Sequence, residues 1–140
     1  MKVSELMSGR VVSIEQDAPV SAAARLLRQA NVGALPVCDA RRRLRGIVTD
    51  RDIVTRCVAL GSDPEETPVR EIMSRGVVTC APEETMDAAV KRMRDDRVRR
   101  LPVLEEGKLI GIVSLCDVSR AADMEAAAAL AVISSNVQRK

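Results

Sequence analysis

The 140-residue chain has no Phe, Tyr, Trp or His. Without aromatic rings, its core must be built from Val, Leu, Ile, Ala and Met. A flat ligand would then be gripped by aliphatic walls rather than stacked on a ring. The lack of histidine removes the most frequent general base, the side chain that titrates near neutral pH, and the commonest metal ligand. Cysteine is sparse, at Cys38, Cys57, Cys80 and Cys116 only. No two of these are spaced C-x-x-C, so a zinc site would need four scattered thiolates, and no metal is expected. No apolar run reaches membrane-span length, and the opening MKVSELMSGR lacks the apolar stretch and cleavage site of a secretory leader. A cytoplasmic protein with reduced thiols and no membrane partner is expected.

Charge of either sign is nearly balanced. A formal net charge of +2 exerts no strong pull on nucleic acid or anionic lipid. The densest basic run, Arg41-Arg42-Arg43 with Arg45, falls between two strand-like segments and reads as a solvated hairpin turn. With no aromatic side chain to stack bases, it makes no case for nucleic acid. A hydrophobic fraction of 46% fits a globular chain, and 140 residues suffice for one domain.

What is present is one phrase written twice. VSELMSGRVVS from Val3 falls on VREIMSRGVVT from Val69. ANVGALPV from Ala30 falls on DRVRRLPV from Asp96, and LRGIVTDRDI from Leu44 falls on LIGIVSLCDV from Leu109. An internal repeat is first of all a statement about architecture.

Each copy has the same order of elements. A short apolar strand comes first, Val11–Ile14 or Val77–Cys80. A helix follows: Pro19 suits its first turn, and Ala22, Ala23, Leu26, Leu27 and Ala30 recur at helical spacing. Its counterpart runs from about Thr85 to Asp96, with Met86, Ala89, Val90 and Met93 on one face. Two strands then form a hairpin in each copy, Leu35–Cys38 with Leu44–Thr49 and Leu101–Leu104 with Lys108–Ser114. Their turns, DARRR and EEG, are polar. A second helix closes each copy, over about Asp50–Leu60 and from Leu115 into the Ala-rich tail.

The expected fold class is α/β (α+β). Two β-α-β-β-α repeats pack sheet to sheet about a pseudo-two-fold axis, because one such unit exposes an apolar sheet face and alone would be marginal. The boundaries are repeat one over 1–60, a linker over 61–68 (GSDPEETP), repeat two over 69–120, and a C-terminal helix and tail over 121–140. The tail is helical by propensity and too apolar around its circumference for a lone surface helix, so it is expected to pack on the module or on a second subunit.

The order and spacing of ELMS and EIMS, GALPV and RRLPV, GIVTDRD and GIVSLCD resemble a tandem pair of CBS (cystathionine β-synthase) domains, or Bateman module. The resemblance runs from about Val3 to Val118, and to the stand-alone bacterial members in particular. It implies adenine nucleotides or S-adenosylmethionine bound in clefts between the repeats, and homodimers of two modules.

Thr49-x-x-Asp52 and Ser114-x-x-Asp117 each stand between a strand and a helix. One reading is a capping box, with the hydroxyl at the N-cap and the acid three residues on. The other reading uses the same geometry for a ligand. The carboxylate accepts from both ribose hydroxyls, and the hydroxyl donates to a phosphate near the helix N-terminus. The resemblance implies the second, with Asp52 and Asp117 on ribose and Thr49 and Ser114 near phosphate. The two roles are compatible.

Arg99 and Arg100 belong either to a solvated charge cluster with Arg97 or, as the resemblance implies, to the phosphate site. Arg51 is a further phosphate candidate. Repeat one has Gly33 and Ala34 where repeat two has Arg99 and Arg100, so the two clefts are chemically unequal and at most one strong phosphate site is expected. The adenine pocket is read as Val12, Ile14, Leu35 and Pro36 with Val78, Cys80, Leu101 and Pro102, flanked by Val32 and Val98; taken singly, most of these are equally core positions.

The expected function is a ligand-sensing regulatory module, with an adenine nucleotide as its regulatory ligand and no cofactor. A homodimer and an unidentified protein partner go with it. The alternative is a CBS dimer with empty clefts that scaffolds another protein. An enzyme is not expected: there is no Gly-rich G-x-x-x-x-G-K-[ST] loop and no nucleophile beside a base.

Overall fold

The structure, a computed structural model, describes the backbone of residues 1–138 and the side chains of residues 1–132. The elements are α1 (Val3–Leu6), β1 (Ile14–Glu15), α2 (Val20–Ala30), β2 (Ala34–Cys38), β3 (Leu44–Thr49), α3 (Asp50–Ile53), α4 (Met86–Asp96), β4 (Arg100–Glu105), β5 (Lys108–Ser114) and α5 (Leu115–Gln138). β1 runs parallel to β2, which pairs antiparallel with β3. β4 and β5 form the matching antiparallel pair.

The helices begin and end on local signals. Pro19 is the N-cap of α2, and Asn31 closes it in the left-handed region at φ 54°. Thr85 caps α4 by accepting from Ala88 N at 3.2 Å, and Arg97 closes it at φ 56°. β3 and β5 bury alternate residues, as a period of two requires, whereas β2 and β4 bury consecutive ones. Leu35, Val37 and Val48 enter one core with Val20, Ala23 and Leu27 of α2. Leu101, Val103 and Val113 enter a second with Ala89 and Met93 of α4. Each sheet thus turns one face to its helices and the other, through Pro36 and Ile47 or Pro102 and Ile112, to a cleft between the repeats.

The first turns of the two copies are exchanged. Val3 lies in the core of the second repeat, and Val69, Ile72 and Met73 lie in that of the first. Val3 N donates to Glu84 O at 2.8 Å, and its counterpart Val69 N donates to Ala18 O at 2.9 Å. Ser8 bridges to Ile112 just as Ser74 bridges to Ile47. These matched pairs are the pseudo-two-fold axis written in hydrogen bonds. The unit that packs is therefore not the unit that repeats.

The exchange explains the glycine in both copies of the GIV phrase. A Cβ on Gly46 would stand 2.6 Å from Ser74 O, and one on Gly111 would stand 2.7 Å from Met7 Sδ and 3.0 Å from Ser8 O. Only a residue without a Cβ lets the ELMS or EIMS segment lie this close to the strand.

Two expectations are corrected. The strands over Val11–Ile14 and Val77–Cys80 shrink to β1 and to a single parallel bridge from Cys80 to Val103. The chain must cross from Ser8 on β5 to Ile14 on β2, so the residues between cannot join either ladder. The helix over Asp50–Leu60 is α-helical for one turn, after which Val54–Val58 are π-helical, closed by the Ala59 N to Val54 O bond of 2.8 Å. Thr55 Oγ1 donates to Arg51 O at 2.8 Å at the start of this wider turn. The tail packs on the module only as far as Ala121, and every residue from 122 to 132 is exposed in the single chain, where a second subunit is the other expected partner. Residues 139–140 of the tail lie outside the described residues.

Candidate functional site

A cleft of about 280 Å³ lies between the two repeats, at the small end of the range for small-molecule sites. Its walls are aliphatic. Val11 and Val12 come from the crossing segment, Val32, Ala34, Pro36 and Ile47 from repeat one, and Pro102 and Ile112 from repeat two. Its polar groups are Ser8, Arg10, Arg100, Ser114 and Asp117.

Asp117 and Ser114 form a capping box at the start of α5. Ser114 N donates to Asp117 Oδ2 at 2.9 Å, and Asp117 N donates to Ser114 Oγ at 3.1 Å. This leaves the Ser114 hydroxyl proton available to a ligand. Asp117 Oδ1 is ion-paired with Arg120, one turn along α5. Thr49 and Asp52 make the same box at α3, with both bonds at 3.0 Å. There Asp52 is buried, and Arg56 Nε lies 3.9 Å from its carboxylate.

The structure brings Asp117, Ser114, Arg100, Val12, Pro36 and Pro102 together on the cleft. It places Leu35, Leu101, Ile14 and Cys80 in the two cores instead, and Val78 packs against the second of these. The reason is strand alternation: Leu35 and Pro36 are neighbours and must face opposite sides, as must Leu101 and Pro102. Thr49, Asp52, Arg51 and Arg99 are outside this cleft's walls. Arg51 and Arg99 are exposed, and Arg99 meets the site only through its carbonyl, which accepts from Leu115 N at 2.8 Å.

Sequence reasoning passed over Arg10. A signal was available: Val11 and Val12 match Val77 and Val78, yet Arg10 falls opposite Gly76. Repeat two carries its arginine one position earlier, as Arg75 opposite Gly9, so the cation on the crossing segment is shifted between the copies. Among the described residues, neither Arg10 nor Arg100 is in an ion pair.

Elsewhere the polar groups are structural. Asp39 organises the arginine-rich hairpin, accepting from Arg41 N at 2.9 Å and Arg43 N at 3.0 Å and pairing with Arg45 at 2.9 Å. The Arg43 backbone N–H is the main reason that its carboxyl titrates below the usual range. Burial pushes the Cys80 thiol up to about 11 and raises Cys38 as well. Cys116 alone of the four is exposed. Mass spectrometry after brief iodoacetamide treatment at neutral pH should therefore find one alkylated cysteine, Cys116. Comparable labelling of Cys80 in the folded protein would contradict this burial. Among the described residues, no group of three or more Cys, Asp or Glu side chains is placed to hold a metal ion. No helix among them is long and apolar enough to cross a membrane.

A family model described as the CBS domain matches residues 3–59 and again 69–123. The CBS domain-containing protein YhcV of Bacillus subtilis is 38% identical over 117 residues, covering 84% of this chain and 82% of that protein. Among solved structures, Hypoxic Response Protein I with two coordinated zinc ions superposes with a TM-score of 0.78 at 32% identity, over 86% of this chain and 98% of that one. The CBS domain pair of protein MJ0100, in complex with 5-methylthioadenosine and S-adenosyl-L-methionine, superposes with a TM-score of 0.73 at 27% identity, over 89% and 98% of the two chains.

Proposed function

The chain belongs to the CBS domain family, and from that premise we propose that it is a ligand-sensing regulatory module whose ligand is an adenine nucleotide or S-adenosylmethionine. The ligand sits in the cleft between the repeats. The observation that carries this reading is the cleft itself, where aliphatic walls meet a carboxylate, a hydroxyl and two guanidinium groups that are in no ion pair among the described residues. The walls enclose the base, Asp117 accepts from the ribose hydroxyls, and Ser114 donates to the group beyond. Asp52 and Thr49 would do the same in a second cleft. The bound adenosyl compounds of the MJ0100 domain pair support the ligand class.

Regulation then works through association and shape rather than turnover, and the chain acts as no enzyme. A ligand shifts an equilibrium only by its differential affinity for two states, so a second copy or another protein must read the occupancy. Exposed Val54, Val58 and Leu60 beside α3, and Met124, Leu130 and Val132 on α5, offer the apolar surface for a homodimer. A second reading, a ligand-free interaction module, draws on one observation: the capping boxes are complete without a ligand, and Arg120 already pairs with Asp117.

The missing Trp and Tyr make the test direct. The purified protein is nearly transparent where adenine absorbs, so an adenine band in its ultraviolet spectrum reports a retained ligand, which acid extraction and chromatography then identify. Added AMP, ADP, ATP or S-adenosylmethionine at a hundredfold excess over Kd is expected to stabilise the fold by about 2.7 kcal/mol, read as a raised melting temperature. No band and no shift with any of the four would favour the ligand-free module.

A further inference from the structure

The two clefts that the pseudo-two-fold axis implies differ in charge. Arg100 stands opposite Ser114 in the strand register, and the matching residue opposite Thr49 is Ala34. Arg10, on the segment that crosses into the cleft, has Gly76 as its counterpart, with the exposed Arg75 one position earlier. The cleft of one capping box thus carries two cations, one from each copy, and the other box has an alanine and a glycine at those positions, the glycine following Arg75. Around the second box the neighbouring acid is Asp50, whose Oδ2 lies 3.8 Å from where a Cβ on Gly33 would be; the residue matching Asp50 in repeat two is Leu115.

Both arginines line the cleft, and neither is ion-paired among the described residues. A guanidinium without a carboxylate partner is a ready donor for an oxyanion, and its fork matches two phosphate oxygens at once. The same two cations repel a sulfonium group and gain nothing from an uncharged thioether. Resting on the reading that an adenosyl compound occupies this cleft, we propose that the site selects adenosine carrying a 5′-phosphate over S-adenosylmethionine and 5-methylthioadenosine, that Arg10 and Arg100 together set the selection, and that each chain holds one strong site.

Calorimetric titration of the full chain with AMP, ADP, ATP, adenosine, 5-methylthioadenosine and S-adenosylmethionine tests this. The expected result is one equivalent of phosphorylated nucleotide per chain, bound at least about tenfold more tightly than the other three. Arg10→Ala should take away part of the preference for AMP over adenosine and leave adenosine unchanged, Arg10→Lys should keep more of it, and Arg10→Ala with Arg100→Ala should bring AMP down to the affinity of adenosine. Raised salt should narrow the gap. Arg10 is exposed, so its loss spares the fold, and an unchanged melting temperature without ligand checks that. S-adenosylmethionine binding as tightly as AMP, two equal nucleotide sites, or an Arg10→Ala variant that weakens adenosine and AMP alike would overturn the proposal while leaving the cleft an adenosyl site. Failure of all six compounds, adenosine included, would remove the adenosyl reading and the proposal with it.

Discussion

Asp117→Ala should weaken nucleotide binding by at least a factor of about a hundred, whereas Asp52→Ala should leave the strong site nearly intact. The two substitutions remove the same group from the same local structure. Each carboxylate accepts from the backbone N–H three residues before it and completes a capping box. Each loss therefore costs about 1 kcal/mol of stability through an unpaired donor and a weakened helix start. Only Asp117 also faces the cleft beside Arg10 and Arg100. There it would lose two charge-assisted bonds to ribose, worth about 1.5–3 kcal/mol each. Because the cost in stability is common to both variants, the difference between them isolates the ligand. Calorimetric affinities, read beside urea midpoints for both variants, make the comparison. Equal loss of affinity would mean that the cap, not the ribose contact, is what binding needs. No loss in either would remove Asp117 from the site.

Gly46→Val is expected to cost about 3–5 kcal/mol, a large part of the 5–15 kcal/mol that holds a typical domain together. A side chain here meets Ser74 O at 2.6 Å from its first carbon, and a backbone carbonyl cannot swing aside. Relief requires breaking the reciprocal bonds between Ile47 and Ser74, both 2.9 Å. Two such bonds at about 1 kcal/mol each, with overpacking of about 1–3 kcal/mol, give the total. Gly111→Val should cost less. Its nearest neighbour is the flexible Met7 sulfur, and the carbonyl of Ser8 is 3.0 Å away. The order of the two urea midpoints checks the packing independently of their size. A Gly46→Val protein as stable as the parent would mean that the EIMS segment does not lie on β3.

Much of this was legible in the residues because it is local. The strands Leu44–Thr49 and Lys108–Ser114, the helix expected from about Thr85 to Asp96 and both capping boxes follow from spacing alone, and the structure shows each, the helix running from Met86. What escaped depends on partners distant in the chain. The repeat alignment shows that VSELMS and VREIMS are equivalent, but not that each packs on the other copy. Strand periodicity separates Leu35 from Pro36 without saying which side meets α2 and which the cleft, so aliphatic core and aliphatic ligand wall read alike. The π-helical turn at Val54–Val58 has no period to betray it, since one widened turn is too short to shift the apolar pattern. Arg10 was visible as an asymmetry between copies, yet its meaning required knowing that the segment carrying it crosses the cleft.

The crossed first turns bear on what the segment Gly61–Pro68 does. Every contact by which Val3 completes the second core, and Val69 the first, has the geometry that two separate single-repeat chains would use if they traded arms. The covalent join turns that encounter into an intramolecular one, with an effective concentration of about millimolar for a short tether. Proteolytic nicking between the copies would therefore leave a noncovalent pair that stays folded when concentrated and comes apart on dilution. Stability in such a nicked protein becomes a question of dose, and the tether's role is to make it independent of dose.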